Sequence, residues 1–324
     1  MVFDVLIGDP SFFLHPVQVI GIYIKKTTNF FLRNFNNKKI ILFISGLFIS
    51  ISTILLSFLV GKFIELQLQE SKFNIIYSLL LFFGLSSCIA TKGLISSVKE
   101  ISQLIDRQDE EQVSITMIKK KVQKIVSRDV SKSNLDHLLR STTESLTENA
   151  VDGIFSPLFW IFLGTISFKY SIYLPGPLSL GLSYKAISTL DSMIGYKYGA
   201  FKYLGFCGAK IEDYATFLPC RLVALTLPIV SGKITNYFHI MRKVFSEGSK
   251  YASPNSGISE AIFAYLVDIR LGGRSKYSDG FTVKPKLNSK GNKCSQIAIE
   301  KICKLIIRLQ IVWTIIFTLI FFVI

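Results

Sequence analysis

Hydrophobic residues along the chain are grouped into long runs that polar segments separate. Residues 40–60 and 73–91 carry no charge. At a rise of 1.5 Å per residue, a helix of this length can cross the ~30 Å hydrocarbon core of a bilayer. A third apolar run, about residues 305–324, has one charge, Arg308, near its start. These runs predict three membrane-spanning helices.

Two further apolar segments, about residues 154–174 and 214–232, are interrupted by proline, glycine and charged residues. Irregular backbone at membrane depth is tolerated only where protein or a water-filled cavity surrounds it. We therefore predict two broken or re-entrant membrane segments here, with Pro175–Pro177 as the turn after the first. The segment 2–24 is similarly broken and is predicted to lie at the interface or to be re-entrant.

The segments between these runs, about residues 92–153 and 233–304, are rich in Lys and Arg, which places them in the cytoplasm by the positive-inside rule. Apolar residues at spacings of three and four in the first, from Ile101 to Val126, predict amphipathic helices. The Gly-, Lys- and Ser-rich stretch up to Lys293 is predicted to be mobile. The sequence thus predicts an all-α, polytopic integral membrane protein. Its single domain, residues 1–324, would have about five membrane segments, some broken or re-entrant, and helical cytoplasmic loops.

Composition supports the membrane class. Half of the residues are hydrophobic and the mean hydropathy is +0.44, which is high for a soluble protein of this size. The net charge of +15 is spread over the loops, so anionic lipids and loop orientation explain it and no nucleic-acid partner is predicted. The five cysteines include no CxxC pair, so neither a zinc site nor a disulfide framework is indicated.

Two polar clusters flank the first broken segment. Glu144, Glu148 and Asp152 follow at i, i+4 and i+8 and would share one face of a helix. Most acidic rows are solvated helix faces, but this row ends where an apolar segment begins, and ionisable groups in such places are usually functional. Both readings stay open. The second cluster, Ser188 to Ser192 followed by Lys197, combines hydroxyls, a carboxylate and an amine.

Four stretches resemble, in the same order, motifs of the CobD/CbiB family: GDPSFFLHPVQVIG (8–21), DGIFSPLFW (152–160), YKAISTLDSMIGYK (184–197) and SPNSGISE (253–260). The likeness extends to about Gly273. Ser188 stands where the family more often has Asn, and the spacer with Pro175 and Pro177 is longer.

The resemblance implies an adenosylcobinamide-phosphate synthase of cobalamin biosynthesis, which is an acid–amine ligase of the membrane. Such an enzyme attaches (R)-1-aminopropan-2-ol, or its phosphate, to the free propionate of adenosylcobyric acid and consumes ATP. The carboxylate must be activated, with Mg²⁺ or cationic side chains holding the phosphate charge, and the amine must lose a proton. The implied partners are the corrinoid, the amino alcohol or its phosphate, ATP, Mg²⁺, membrane lipids and other corrin-pathway enzymes.

The residues that match the family motifs, or lie beside them, are the candidates for these roles. The predicted catalytic carboxylates are Glu148, Asp152 and Asp191, and the first two are also candidate Mg²⁺ ligands. The predicted substrate-binding residues are Asp9, His15, Asn149, Ser192, Lys197, Arg221, Ser253, Asn255 and Glu260. The chain has no GxxxxGK[ST] loop and no GxGxxG fingerprint, so the sequence does not indicate how ATP binds.

Structural roles compete with these assignments. His15 before Pro16 can be a turn residue, and Arg221 can reach the interface, pair with Asp213 or bind a substrate phosphate. SPNSGISE can be an ordinary junction in which Ser259 caps a helix that begins at Glu260.

The rival function is a polytopic transporter for a corrinoid or another anionic solute, because broken helices and intramembrane charges also mark transport pathways. The absence of an internal repeat argues against it. The enzyme is expected in the cell membrane as a multi-pass protein with its active site facing the cytoplasm.

Overall fold

The computed structural model describes residues 15–35, 38–70, 74–106, 114–277 and 280–324. The first half of the chain contains α1 (Pro16–Phe35), α2 (Lys39–Glu70), α3 (Asn74–Ser87), α4 (Thr91–Asp106), α5 (Ile115–Gln123) and α6 (Leu135–Ala150), followed by a π-helical segment (Val151–Phe155). After it come α7 (Ser156–Tyr170), α8 (Pro177–Ile194), α9 (Phe201–Leu204), α10 (Phe206–Ala215), α11 (Phe217–Val230), a 3₁₀ turn (Ile234–Asn236), α12 (Tyr237–Gly248), α13 (Ser256–Val267), strands β1 (Leu271–Tyr277) and β2 (Gly280–Leu287), and α14 (Gln296–Val323).

Five helical stretches in the described residues are long and apolar enough to cross a membrane. They are Lys39–Gln69, Asn74–Asp106, Leu135–Tyr170, Phe206–Val230 and Gln296–Val323. This confirms the predicted all-α, multi-pass membrane protein with about five membrane segments. Three of the helical stretches continue into segments predicted as loops, because an amphipathic sequence can extend a helix beyond its apolar part.

The chain divides into two compact units. The first unit contains Met1–Thr91, Asp152–Thr216 and Phe317–Ile324, and the second contains Lys92–Val151 and Phe217–Ile316. That residues 1–324 act as one membrane domain stays a prediction.

Helix α8 organises the first unit. It packs against α1, α2, α3, α7 and α10. Near its carboxyl end, Leu190 and Ile194 join a buried cluster that includes Ile24 and Ile49. Near its amino end, Leu178 and Leu182 pack around the buried Cys88. The helix that carries the predicted Ser188–Lys197 cluster is therefore held by apolar contacts along its length.

The amino terminus of α8 is held by α2. A Cβ atom on Gly61 would come within 2.6 Å of the Ser179 backbone, so glycine is what lets the two helices approach. One turn later, the Glu65 carboxylate, 2% exposed, accepts hydrogen bonds from the amides of Leu178 (2.6 Å) and Ser179 (3.0 Å). The first amides of a helix have no partner within it, and a negative charge there also favours the helix dipole. Glu65 is therefore a structural acid.

A second charged residue of α2, Lys62, bonds to the turn before α8. The Lys62 ammonium donates to the carbonyl of Ile172 at 2.5 Å and also to the carbonyl of Leu174. Helix α7 ends at Tyr170 and α8 begins at Pro177, so residues 171–176 connect them; Pro175 lies in this connection as predicted, whereas Pro177 is already helical. Lys62 and one carboxylate oxygen of Glu65 thus bond to backbone groups between or at the ends of these helices.

In the second unit, the predicted amphipathic helices form a shared apolar cluster. Ile101 and Ile105 of α4 pack with Ile118 and Val122 of α5 and with Leu138 of α6. Helix α13 is the most buried element, since every residue from Ser256 to Ala264 is buried. It packs against α6, α11, α12 and both strands.

The stretch predicted to be mobile contains a regular antiparallel hairpin of β1 and β2. Leu271 pairs with Leu287 and Arg274 with Val283, but the pairing shifts between Leu271 and Gly273. At this bulge Gly272 has φ of 80°, and a Cβ atom there would lie 2.1 Å from the carbonyl oxygen of Pro285. The bulge therefore requires glycine, and it turns the Gly272 amide away from the ladder.

We expect Glu65→Ala to lower the free energy of unfolding by about 1–3 kcal/mol, because two buried amides lose their acceptor. Thermal unfolding in detergent would measure this. Glu65→Gln, which keeps a carbonyl acceptor, should lose less, and Gln67→Ala on the same helix serves as the control. An unchanged unfolding temperature for Glu65→Ala would show that the carboxylate does not hold α8.

Candidate active site

The first acid of the predicted row, Glu144, is locked in a structural contact. Its carboxylate is 1% exposed and accepts a hydrogen bond from Arg128 at 2.5 Å and from the bulge amide of Gly272 at 2.8 Å. The Arg140 Nε atom lies 3.7 Å away, and Arg128 also donates to Ser275 Oγ at 3.1 Å. Because both of its oxygens are bound, Glu144 is not available for a substrate.

Glu260 is fully buried at the first turns of α13. Lys284 of β2 donates to one carboxylate oxygen at 2.9 Å and the Tyr251 hydroxyl to the other at 3.2 Å. Burial, only partly offset by Lys284 and reinforced by Glu144 and Glu148, raises the pKa of Glu260 to about 8. Burial alone would lower the pKa of Lys284, but the neighbouring carboxylates, Glu260 first, outweigh it and raise that pKa. The Glu260 carboxyl therefore changes its protonation near neutral pH.

Glu148 belongs to the same group of charges but is bound differently. It lies one turn beyond Glu144 on α6, is half-buried, and its charge acts on both Glu260 and Lys284. Within the described ranges, no hydrogen bond or ion pair holds its carboxylate. Of the three acids, Glu148 is thus the one whose carboxylate is free to contact a substrate or a metal ion.

A second group in this unit joins three predicted residues. Arg221 donates to the side-chain oxygen of Asn255 at 2.6 Å and to the carbonyl of Pro254 at 2.8 Å, and it stacks over the Phe217 ring. Ser253 Oγ accepts from the Asn255 amide at 3.3 Å. Arg221 therefore holds the turn that precedes α13.

The structure corrects the predicted start of the helix after this turn and describes the contacts of Asn149. The helix after this turn begins at Ser256, not Glu260. Ser259 therefore lies within the helix, and its hydroxyl donates to the carbonyl of Thr147 at 3.0 Å instead of capping. Asn149 is exposed, and its amide bonds back to Ser145 of its own helix at 2.9 Å.

In the first unit, Asp152 lies in the π-helical segment directly after α6. It is half-buried, and its charge acts on the hydroxyl of the buried Tyr184, which bonds to Thr216 Oγ1 at 2.8 Å. π-Helical turns are rare and are frequently found at functional sites. The segment Val151–Phe155 also breaks the α-helical spacing on which the predicted row of three acids was based.

The second predicted cluster lies at the carboxyl end of α8. Asp191 is half-buried and is folded over Gly195, where a Cβ atom would lie 2.2 Å from Asp191 Oδ1. Ser192 is exposed and donates to the carbonyl of Thr189 at 3.0 Å, and Lys197 is exposed just beyond the helix. The three side chains thus follow one another along one helix end.

The amino-terminal candidates are described only in part. His15 Nδ1 accepts a hydrogen bond from the Val17 amide at 3.2 Å, which is the capping role of a turn residue at the start of α1. Asp9 lies outside the described residues. Substrate roles for both stay predictions.

Sequence reasoning missed Arg128, Tyr251 and Lys284. Arg128 is 16 positions from its acid and Lys284 is 24 from its own, so no local spacing links them. In the sequence, Lys284 lies in a Gly-rich stretch and cannot be distinguished from a solvated lysine.

Glu148 and Asp152 are the predicted Mg²⁺ ligands. In the part of the chain that is described, no group of three or more His, Cys, Asp or Glu side chains is arranged to hold an ion. Mg²⁺ often needs only one or two protein carboxylates and completes its shell with water and phosphate. Glu148 and Asp152 have the appropriate donor type, so Mg²⁺ binding there stays a prediction.

We expect Arg128→Met to destabilise the protein by about 3–5 kcal/mol, since it removes the guanidinium that hydrogen-bonds the buried Glu144 and leaves only Arg140, 3.7 Å away, as a cation. The double variant Arg128→Met/Glu144→Gln should recover part of this loss. Chemical unfolding of both variants in detergent tests the coupling. If the losses simply add, the two side chains do not depend on each other.

Comparison with known proteins places these observations in a family. Residues 1–306 match the sequence model described as CobD/Cbib protein. A protein from Synechocystis named cobalamin biosynthesis protein CobD is 35% identical over 93% of this chain and 83% of its own length. Proteins of the same name from Leptospira interrogans and Clostridium acetobutylicum are each 32% identical, over 98% and 99% of this chain and 94% and 96% of their own lengths. No solved structure matches the chain.

Proposed function

Because the chain belongs to the CobD/Cbib protein family, its place is in cobalamin biosynthesis, and we propose that it is a membrane-bound adenosylcobinamide-phosphate synthase. In this proposal it joins (R)-1-aminopropan-2-ol, or its phosphate, to the free propionate of adenosylcobyric acid. ATP is consumed and an amide is formed. Mg²⁺ is its proposed metal ion.

The observation that supports this chemistry best is the contrast among the three acids of the second unit. Glu144 is saturated by Arg128 and Gly272, Glu260 is paired with Lys284, and Glu148 has no such partner in the described ranges. Shifted protonation in a buried charge cluster marks candidate functional sites. Glu148 is the member through which the cluster can reach a substrate.

The proposed reaction assigns one proton transfer to this group. An amine attacks only after its ammonium form has lost a proton, and Glu148 accepts that proton. The nitrogen then forms a bond to the activated carbonyl carbon while the bond to the phosphate oxygen breaks. ATP is the proposed source of the activating phosphoryl or adenylyl group, and Mg²⁺, when bound, would neutralise the phosphate charge.

The other predicted residues take supporting roles in the proposal. Arg221 already donates hydrogen bonds to Asn255 and to the Pro254 carbonyl, so we propose that it positions the turn of Ser253 and Asn255 for substrate. Lys197 and Ser192 are exposed at the end of α8 and suit contacts to phosphate or hydroxyl groups. Asp152 and Asp191 remain proposed catalytic carboxylates, each judged by its own variant.

We expect Glu148→Gln, Asp152→Asn and Asp191→Asn each to reduce product formation by about a hundredfold or more, the usual effect of losing a general base or metal ligand. The assay contains purified protein, adenosylcobyric acid, aminopropanol phosphate and Mg-ATP, with the product identified by mass spectrometry. Glu100→Gln, at an exposed ion pair with Lys121, is the matched control. A variant that keeps near-normal turnover loses its proposed catalytic role.

The same material separates the enzyme from the rival transporter. Conversion of the corrinoid by proteoliposomes without its accumulation favours the enzyme. Accumulation without conversion favours transport, and the synthase proposal would then be withdrawn.

We further propose that the chemistry faces the cytoplasm, since the segments 92–153 and 233–304 are rich in Lys and Arg. In a background without native cysteines, Lys202→Cys should resist a membrane-impermeant maleimide in intact cells and react after permeabilisation. Gln69→Cys, at the other end of α2 from the basic Lys38 and Lys39, should react in both conditions. Labelling of position 202 from outside would place the end of α8 on the wrong face.

A further inference from the structure

A cavity of about 440 Å³ opens beside the hairpin of the second unit. The first turns of α6, the start of β1 and the segment 286–294 form its walls. Five basic side chains line it against one acidic residue, Asp136: Arg140, Arg270, Arg274, Lys286 and Lys293. Its volume is in the range of small-molecule sites, and such a wall favours an anion.

Three of the five cations are engaged in the structure. Arg140 donates to the carbonyls of Gly272 at 2.8 Å and Arg274 at 2.6 Å. Arg274 stacks on the Phe281 ring with 3.8 Å to its centroid, and Lys293 pairs with Asp136 at 2.5 Å. These contacts fix the shape of the wall.

The other two cations, Arg270 and Lys286, are exposed. Neither head group makes a hydrogen bond or ion pair to any residue in the described ranges. They are therefore available to a ligand without first breaking an internal contact. A guanidinium beside an ammonium is suited to phosphate, because the first binds two oxygens in a fork and the second acts as a point charge.

The cavity adjoins the acid cluster. Gly272 and Arg140 line the cavity. The Gly272 amide donates a hydrogen bond to Glu144, and the Arg140 Nε atom lies 3.7 Å from the same carboxylate. Gly272 and Gly273 have positive φ of 80° and 96° and no side chain, so a ligand can approach the backbone closely. The wall of the cavity and the buried contact of Glu144 therefore share two residues.

We propose that this cavity is the binding site for the phosphate groups of a nucleoside triphosphate, with Arg270 and Lys286 as its contact residues. The excess of five basic side chains over one acid suits a polyphosphate better than a single phosphate. Phosphate binding follows from the cavity alone, whereas its identity as the nucleotide co-substrate rests on the proposed function.

Equilibrium binding of labelled ATP to the purified full-length protein, in detergent and in phosphatidylcholine nanodiscs without corrinoid, tests the site. Arg270→Ala and Lys286→Ala should each weaken binding by about tenfold or more, because each removes a charged hydrogen-bond donor. Lys290→Ala, an exposed lysine of the same loop outside the cavity wall, should not change it. Inorganic triphosphate should compete and adenosine should not.

Unchanged ATP affinity in both cavity variants, with folding verified by circular dichroism, would overturn the proposal. So would binding of phosphatidylglycerol or aminopropanol phosphate at this cavity without binding of ATP, since the site would then serve a lipid head group or the other substrate. If ATP binds as expected but no amide is formed, the proposed synthase reaction fails and this site stands. If the wild type forms the amide but Arg270→Ala and Lys286→Ala bind ATP as tightly as the wild type, the proposed cavity site is wrong and the proposed function is unaffected.

Discussion

Removing a carboxylate from water is unfavourable unless both of its oxygens are bound, and Glu144 meets that requirement with groups from distant parts of the chain. Arg128 lies 16 positions before it and the Gly272 amide 128 positions after it. The contact joins the loop before α6, α6 itself and the hairpin. It thereby fixes β1, and through the ladder β2, so that Lys284 reaches Glu260.

The different properties of Glu144, Glu148 and Glu260 follow from this contact. A charge that holds the hairpin cannot also exchange with a substrate, so Glu144 is fixed in one state. Glu260 is buried beside the strand that Glu144 positions, and its pKa is raised to about 8. Glu148 is left half-buried with no internal partner in the described ranges. Three similar residues thus acquire three different properties from burial and neighbours alone.

The spacing of hydrophobic residues was sufficient to predict the helices of the fold, but it did not predict the roles of the three acids. The uncharged runs predicted the spanning helices, and the spacing from Ile101 to Val122 predicted the amphipathic pair, because both signals are local. The hairpin was missed because its strands depend on a bulge at Gly272 and on pairing, neither of which hydrophobic spacing reveals. Ser259 was misplaced because Asn255, not Ser259, stands at the start of α13. Partners such as Lys284 are found only when the chain is folded.

The contact between α2 and the start of α8 also limits how the protein can be divided. Glu65 and its amide partner at Leu178 are 113 positions apart, and Lys62 bonds to carbonyls of the turn just before Pro177. A fragment that ends before this turn would leave an acid and an amine in an apolar helix without their partners, which is unfavourable in a bilayer. Helix α2 is therefore complete only in a chain that includes α8, and amino-terminal fragments are poor substitutes for the first unit.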